Sequence, residues 1–204
     1  TVDVPATAEA DGSKSIHCTY CDETKDAVVI PAASKIKLAK TAYVYDGKLK
    51  MPALTVKDAN GNAIAKANYT VKMPTGSYNV GQYTYTITFK GEYAGTVKKS
   101  FKINPVGTSL ESLKAGKKAI TVKWNKQESK MAVSTITGYQ IRYSLKKNMS
   151  GAKTVTVKGY KKASKMIKNL KAGKKYYVQV RTYKTAGKVK LYSKWSAKKT
   201  VKTR

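Results

Sequence analysis

Acidic residues, histidine, arginine and helical periodicity are all scarce in this chain. Only 11 of 204 residues are Asp or Glu, and there is one histidine, His17. A Ser-His-Asp triad would have to be built on that histidine, and no strand-turn-helix nucleophile elbow accompanies it. A glycosidase needs two carboxyl groups facing one cleft. Residues 107–204 contain only Glu111 and Glu128. Glycine-rich phosphate loops opening a helix are absent. These absences point to a chain that is not an enzyme and needs no cofactor. Of 41 basic residues only Arg142, Arg181 and Arg204 are arginines. Lysine cannot form the bidentate fork used to read bases, so no specific nucleic-acid partner is expected. No apolar run reaches the roughly 18 residues of a membrane span, and no twelve-residue stretch carries a convincing 3.6-residue period.

What remains is lysine, tyrosine and alternation. The formal net charge is +30, unevenly spread. Residues 1–30 hold six acids and two lysines, residues 31–106 three acids and twelve bases, and residues 107–204 two acids and twenty-seven bases. Such a surface attracts polyanions over about a Debye length. The lysines fall singly or in pairs along strands and turns, as on solvated strand faces.

Lys175–Lys184 alternates strictly: Tyr176, Val178 and Val180 face one way, Tyr177, Gln179 and Arg181 the other, which is the period of a half-buried strand. Similar segments recur at 35–38, 42–45, 53–57, 69–72, 82–89 and 95–103. A second series runs 108–113, 118–125, 138–144, 153–158, 164–170, 175–184 and 195–203. Gly, Pro and Asn punctuate them, with a hairpin signal at Asn60-Gly61. Asp46 and Asp58 sit in turns and read as turn formers. The fold class expected is all-β: two tandem immunoglobulin-like β-sandwiches with a short N-terminal β segment. The expected domains are 1–32, 33–105 and 106–204. In the second sandwich Ile120, Val122, Trp124, Tyr139, Ile141, Tyr143, Leu170, Tyr176, Val178 and Val180 form the expected core. The sequence Leu-Lys-Ala-Gly-Lys-Lys occurs twice, at 113–118 and 170–175, and reads as a turn reused to feed a strand.

Leu170-Lys-Ala-Gly-Lys-Lys-Tyr176, with Trp124 and Gly138-Tyr-Gln-Ile-Arg-Tyr143 before it, resembles fibronectin type III. The resemblance implies that the Tyr176 hydroxyl closes a corner onto upstream backbone. The run Tyr45-Asp-Gly47, Asn60-Gly61, Tyr69-Thr-Val71, Gly91-Glu-Tyr-Ala-Gly-Thr-Val97 and Phe101-Lys-Ile103 resembles a bacterial Ig-like repeat of exported proteins. Such repeats serve as spacers and adhesin stalks. Residues 1–32, with Cys18-Thr-Tyr-Cys21 and Ile30-Pro-Ala32, look like the remnant of a CxxC repeat from surface proteins of Gram-positive bacteria. Ala8 stands at that repeat's first Cys position, and Ser34-Lys35 where a His could follow. Together these resemblances imply an extracellular, secreted or wall-attached protein.

Cys18, Cys21 and His17 offer at most three soft ligands where structural zinc takes four. A disulfide, plain thiols and a partial metal site completed elsewhere all remain open. Redox catalysis would want a helix N-terminus after the first Cys to lower its pKa, whereas Asp22-Glu23 follow the pair.

Gln140, Arg142, Tyr177, Gln179, Arg181 and Tyr183 share the outward side of the sheet pairing the third and sixth strands of the second sandwich. Arg142, Tyr177, Arg181 and Tyr183 are the candidate ligand-binding residues, since tyrosine stacks on sugar rings and arginine holds carboxylates or sulfates. The expected partners are an anionic cell-wall polymer or a host glycan or glycoprotein. The chain, which begins at Thr1 rather than Met, is expected to be a monomeric piece of a longer protein. The function expected is that of a non-catalytic stalk or adhesion module, with a specific binding module for a host glycoprotein, immunoglobulin or acidic polysaccharide as the alternative.

Overall fold

The computed structural model describes residues 1–131 and 134–204. Among the described residues, seventeen strands and one short 3-10 helix make up the regular structure, so the chain is all-β. By contacts it divides into two compact units. One comprises residues 1–41, 50–76 and 83–101; the other comprises 42–49, 77–82 and 102–204.

The first unit begins with β1 (Val2–Val4), β2 (Gly12–His17) and β3 (Thr24–Ile30), an antiparallel three-stranded sheet in that order. Gly12 is required there, because a Cβ would lie 2.3 Å from the backbone N of Ala6 and the carbonyl of Val4. This sheet is tied to the rest of its unit by main-chain bonds. The Ala6 N–H donates to Glu92, the Ala94 N–H to Ala6 and the Ala33 N–H to Thr7. The Lys14 ammonium adds a 2.6 Å ion pair with Glu92. β4 (Lys35–Leu38) pairs with β6 (Leu54–Lys57), and β7 (Tyr69–Lys72) with β8 (Gly81–Phe89). Ile36, Val56, Tyr85, Ile87, Phe89 and Phe101 are buried at the centre. Asn60-Gly61 does make the turn anticipated for it, with Gly61 at φ +97°. Only a single bridge, Lys57 to Ala63, extends beyond it. Asp58 holds the loop instead, accepting the Asn62 N–H at 2.8 Å.

In the second unit β5 (Ala42–Val44) runs parallel to the end of β9 (Thr96–Asn104). Two sheets follow. β10 (Leu110–Gly116), β11 (Ala119–Trp124) and β14 (Ser164–Ile167) form one. β13 (Lys153–Lys158), β12 (Gly138–Ser144) and β15 (Lys175–Ala186) form the other, with β16 (Val189–Tyr192) and β17 (Lys199–Lys202) both pairing to β15. Their inward residues are the alternating set read from the sequence. Ile120, Val122, Trp124, Tyr139, Ile141, Val178 and Val180 are all fully buried. Each aliphatic side chain among them contributes about 1.5–3 kcal/mol by leaving water. Trp124 and Tyr139 pack with ring centres 5.1 Å apart, and Tyr143, half-buried, packs at a tilt against Tyr176 at 6.2 Å.

The Tyr176 corner forms as the resemblance implies: the Lys171 N–H donates to the Tyr176 hydroxyl at 3.0 Å. The two copies of Leu-Lys-Ala-Gly-Lys-Lys both feed strands, β11 and β15, but by different turns. In the first, Gly116 pairs with Ala119 and Lys118 takes φ +47°. In the second, Gly173 takes φ +66°, a left-handed conformation that costs glycine little. The Leu170 N–H donates to the Lys118 carbonyl at 2.9 Å, joining one copy to the other.

The last expected strand differs most from expectation. Instead of a continuous strand at 195–203, β16 ends at Tyr192 and β17 begins at Lys199, leaving 193–198 as a strap. The cause is side-chain competition for the ladder. The Ser193 hydroxyl accepts the Thr182 N–H at 3.1 Å, and the Ser196 hydroxyl accepts the Val180 N–H at 3.0 Å. The Ser193 and Ser196 N–H groups return bonds to Thr182 and Val180 carbonyls. The edge of β15 is thereby satisfied without a regular strand beside it.

Candidate functional site: the outer face of the five-stranded sheet

Antiparallel partners share a face, so the register assigns the outward side of this sheet. On β15 it carries Lys175, Tyr177, Gln179, Arg181 and Tyr183. Opposite them on β12 stand Arg142 against Gln179, Gln140 against Arg181, and Gly138 against Tyr183. Lys158 faces Gly138, Lys202 faces Lys175, and Lys190 faces Thr185. Six cations therefore point outward, at 142, 158, 175, 181, 190 and 202, and no acid does.

The strap converts this face from a row of side chains into a stack. The Arg181 guanidinium lies 4.0 Å from the centre of the Tyr192 ring and 4.3 Å from that of Trp195. The Arg142 guanidinium lies 4.4 Å from the same Trp195 ring. Each arginine is also held edge-on by the glutamine of the neighbouring strand. Arg142 donates from Nε and Nη2 to Gln179 Oε1 at 3.0 and 2.7 Å. Arg181 does the same to Gln140 Oε1 at 3.0 and 2.7 Å. The glutamines are fixed in turn: Gln179 Nε2 donates to the Ser196 carbonyl at 2.6 Å, and Gln140 Nε2 to Thr156 Oγ1 at 3.2 Å.

Magnitudes show why the stack holds. Both charges lie against one indole, at most about twice the contact distance apart. At an effective dielectric of 20–80 their repulsion is about 0.5–2 kcal/mol. Three arginine–aromatic contacts at about 0.5–1 kcal/mol each offset it. Burial pulls both guanidiniums below the usual arginine value, yet a guanidinium keeps its proton in proteins. The face is therefore permanently cationic.

The expected ligand residues are placed unequally. Arg142 and Arg181 come together on Trp195, while Tyr177 is half-buried one position along from Gln179, with Lys175 Nζ 5.6 Å from its ring centre. Tyr183 is not available to a ligand. It is 3% exposed, its ring sits 3.0 Å from where a Gly138 Cβ would be, and Tyr192 covers it at 6.3 Å. Alternation gave its side of the sheet correctly but could not reveal the strap lying over it. Tyr192 and Trp195 were not singled out as site residues. Their signal was present in Tyr192-Ser-Lys-Trp-Ser196, two aromatic–serine pairs three residues apart, which puts both serines on the edge of β15 and both rings on its face. Lys184, also missed, is buried and donates to the Ser134 carbonyl and hydroxyl, both at 2.7 Å, and to the Thr135 carbonyl at 3.1 Å. Burial lowers its pKa.

Cys18 and Cys21 lie exposed at the β2–β3 tip as free thiols. The Tyr20 N–H donates to Cys18 Sγ at 3.4 Å. A hydrogen bond from Cys21, then the Tyr20 amide, hold the Cys18 thiol below its ordinary value. His17 beside them is engaged through Nε2, which lies 2.5 Å from Asp3 Oδ1. That contact holds Asp3 below the usual carboxylate range. Among the described residues no group of three or more His, Cys, Asp or Glu is placed to hold a metal ion. The two sulfurs are half of a structural zinc set. Nor, among the described residues, is any helix long and apolar enough to cross a membrane.

No curated protein matches the chain. Among solved structures, the FN1-FN3 domains of chicken CNTN1 align over 96% of this chain and 78% of theirs, at 18% identity and a TM-score of 0.44. The fn3 domain of human contactin 1 aligns over 56% of this chain and 93% of its own, at 22% identity and a TM-score of 0.39. Residues 104–199 match the fibronectin type III domain family. That segment, with its two facing sheets and its tyrosine corner, is a fibronectin type III domain.

Proposed function

We propose that this chain is a non-catalytic stalk and adhesion module of a secreted or cell-wall-attached bacterial protein, and that its fibronectin type III domain adheres to acidic polymers. The observation that carries the reading is the outward face of the five-stranded sheet, with six cations in register and no acid among them. Like charges gathered this way favour a polyanionic partner. The scarcity of arginine argues against base-specific reading of nucleic acid. The bacterial surface setting rests on the resemblance of residues 33–105 to exported Ig-like repeats and of residues 1–32 to a surface CxxC repeat.

Retention of the whole chain on immobilised wall teichoic acid, a sulfated glycan and a neutral glycan at 0.15 M NaCl tests this. Retention on the acidic polymers and not on the neutral one is expected. Equal retention on all three, or on none, overturns it.

A further inference from the structure

We propose that Arg142 and Arg181 form a paired clamp for the sulfate or carboxylate groups of an acidic polysaccharide. The proposal rests on the adhesive reading above and specifies where in the domain the ligand is held.

Each guanidinium spends Nε and Nη2 on a single glutamine oxygen. Arginine has five N–H donors, so the Nη1 pair and the second Nη2 hydrogen of each are left over. Among the described residues no carboxylate lies within ion-pair distance of either. These are strong donors with a geometry that fits oxyanions.

The forks are also held before any ligand arrives. Trp195 contacts both guanidiniums and Tyr192 contacts Arg181. Gln179 and Gln140 are themselves bonded to Ser196 and Thr156. A long side chain normally loses rotamer freedom when it binds; here that ordering is already done by the fold. Two forks against one indole call for two anionic groups on one ligand, as successive residues of an acidic glycan supply. Lys175, Lys202, Lys158 and Lys190 share the same face and extend the attraction along the chain of sugars.

The purely structural alternative is that the stack only fastens the strap to the sheet. In that case the leftover N–H groups serve water and binding is spread over every lysine.

The scarcity of arginine makes the test clean. The chain has three arginine side chains, and the third, Arg204, bonds the Ala115 carbonyl through Nη2 at 3.1 Å. Arginine Nε–Hε resonances of the whole chain are followed by NMR while a heparin-derived octasaccharide is added at 0.15 M NaCl. Parallel titrations use an oligogalacturonate and a DNA duplex of equal charge. Saturable shifts of Arg142 and Arg181 with Arg204 unmoved are expected for the sulfated or the uronic ligand, and the two arms say which anion is preferred.

A paired affinity measurement compares R142K/R181K, which keeps both charges, with K114Q/K123Q, which removes two charges from the other sheet. The first is expected to weaken octasaccharide binding at least tenfold, the second less than threefold. If the octasaccharide binds while Arg142 and Arg181 stay silent, or if the variants rank the other way, the clamp is wrong and adhesion through dispersed lysines stands. If DNA binds as tightly as the glycans, the polysaccharide assignment is wrong. If no acidic glycan binds, both the clamp and the adhesive reading fail. The NMR arm needs no variant, so it decides the question even where R142K/R181K folds poorly.

Discussion

Arg181 and Gln140 stand directly opposite each other on β15 and β12, and the arginine donates twice to the one glutamine oxygen, at 3.0 and 2.7 Å. A bidentate bond across a strand pair fixes the plane of the guanidinium. That fixed plane lets Tyr192 and Trp195 contact it at 4.0 and 4.3 Å. The order of dependence is sheet register first, arginine orientation second, strap third. A double-mutant cycle between Arg181→Lys and Trp195→Leu is expected to give a coupling of about 0.5–1.5 kcal/mol in urea unfolding. Additive effects would show that the ring contact contributes nothing of its own.

The corner at Tyr176 is an independent anchor of the same strand. Tyr176→Phe removes the acceptor of the Lys171 N–H while keeping the buried ring. A loss of about 1 kcal/mol is expected, seen as a fall of about 4–8 °C in the Tm of a domain this size. Differential scanning calorimetry checks it.

Much of this was legible because alternation and turn chemistry agree. β4, β7, β12 and β13 occupy the segments that period two assigns them, and the buried run Tyr176, Val178, Val180 is the one the strand pattern gives. What period two cannot supply is what lies over a face. Tyr183 points outward yet is buried, because Tyr192 and the empty Cβ position of Gly138 make a slot for it. Residues 195–198 alternate like a strand but are pulled out of the ladder, because two serine hydroxyls take the β15 amides first. Pairing of that kind depends on three-dimensional proximity rather than on propensity.

Asp58 gives the first unit a pH signature. Burial opposes its charge, but the Asn62, Gly61 and Asn60 amides together with the Asn62 side chain outweigh that and hold its pKa below the ordinary aspartate value. A depressed carboxyl contributes stability that is present above the unfolded value of about 3.9 and is lost as pH falls through the folded one. Asp58→Asn is therefore expected to narrow its stability gap to wild type as pH drops from 6 through that window. Denaturant midpoints at matched pH values check it; a constant gap contradicts it.

The thiol pair at the β2–β3 tip should react unequally. Cys18 receives hydrogen bonds from Cys21 and from the Tyr20 amide, which favour its thiolate. Under limiting iodoacetamide at neutral pH, peptide mapping is expected to find Cys18 labelled ahead of Cys21. Equal labelling, or Cys21 first, would show that these bonds do not persist in solution.

The central claim is that two oriented arginines supply the grip on an acidic glycan while the lysines around them only steer it there, and calorimetric affinity for the heparin-derived octasaccharide at 0.15 and 0.5 M NaCl tests it most directly. At about 0.8 counterions released per contact, two gripping groups lose about sevenfold between those concentrations and six dispersed contacts lose about three-hundredfold. The account predicts a loss under about tenfold; a loss beyond about a hundredfold contradicts it.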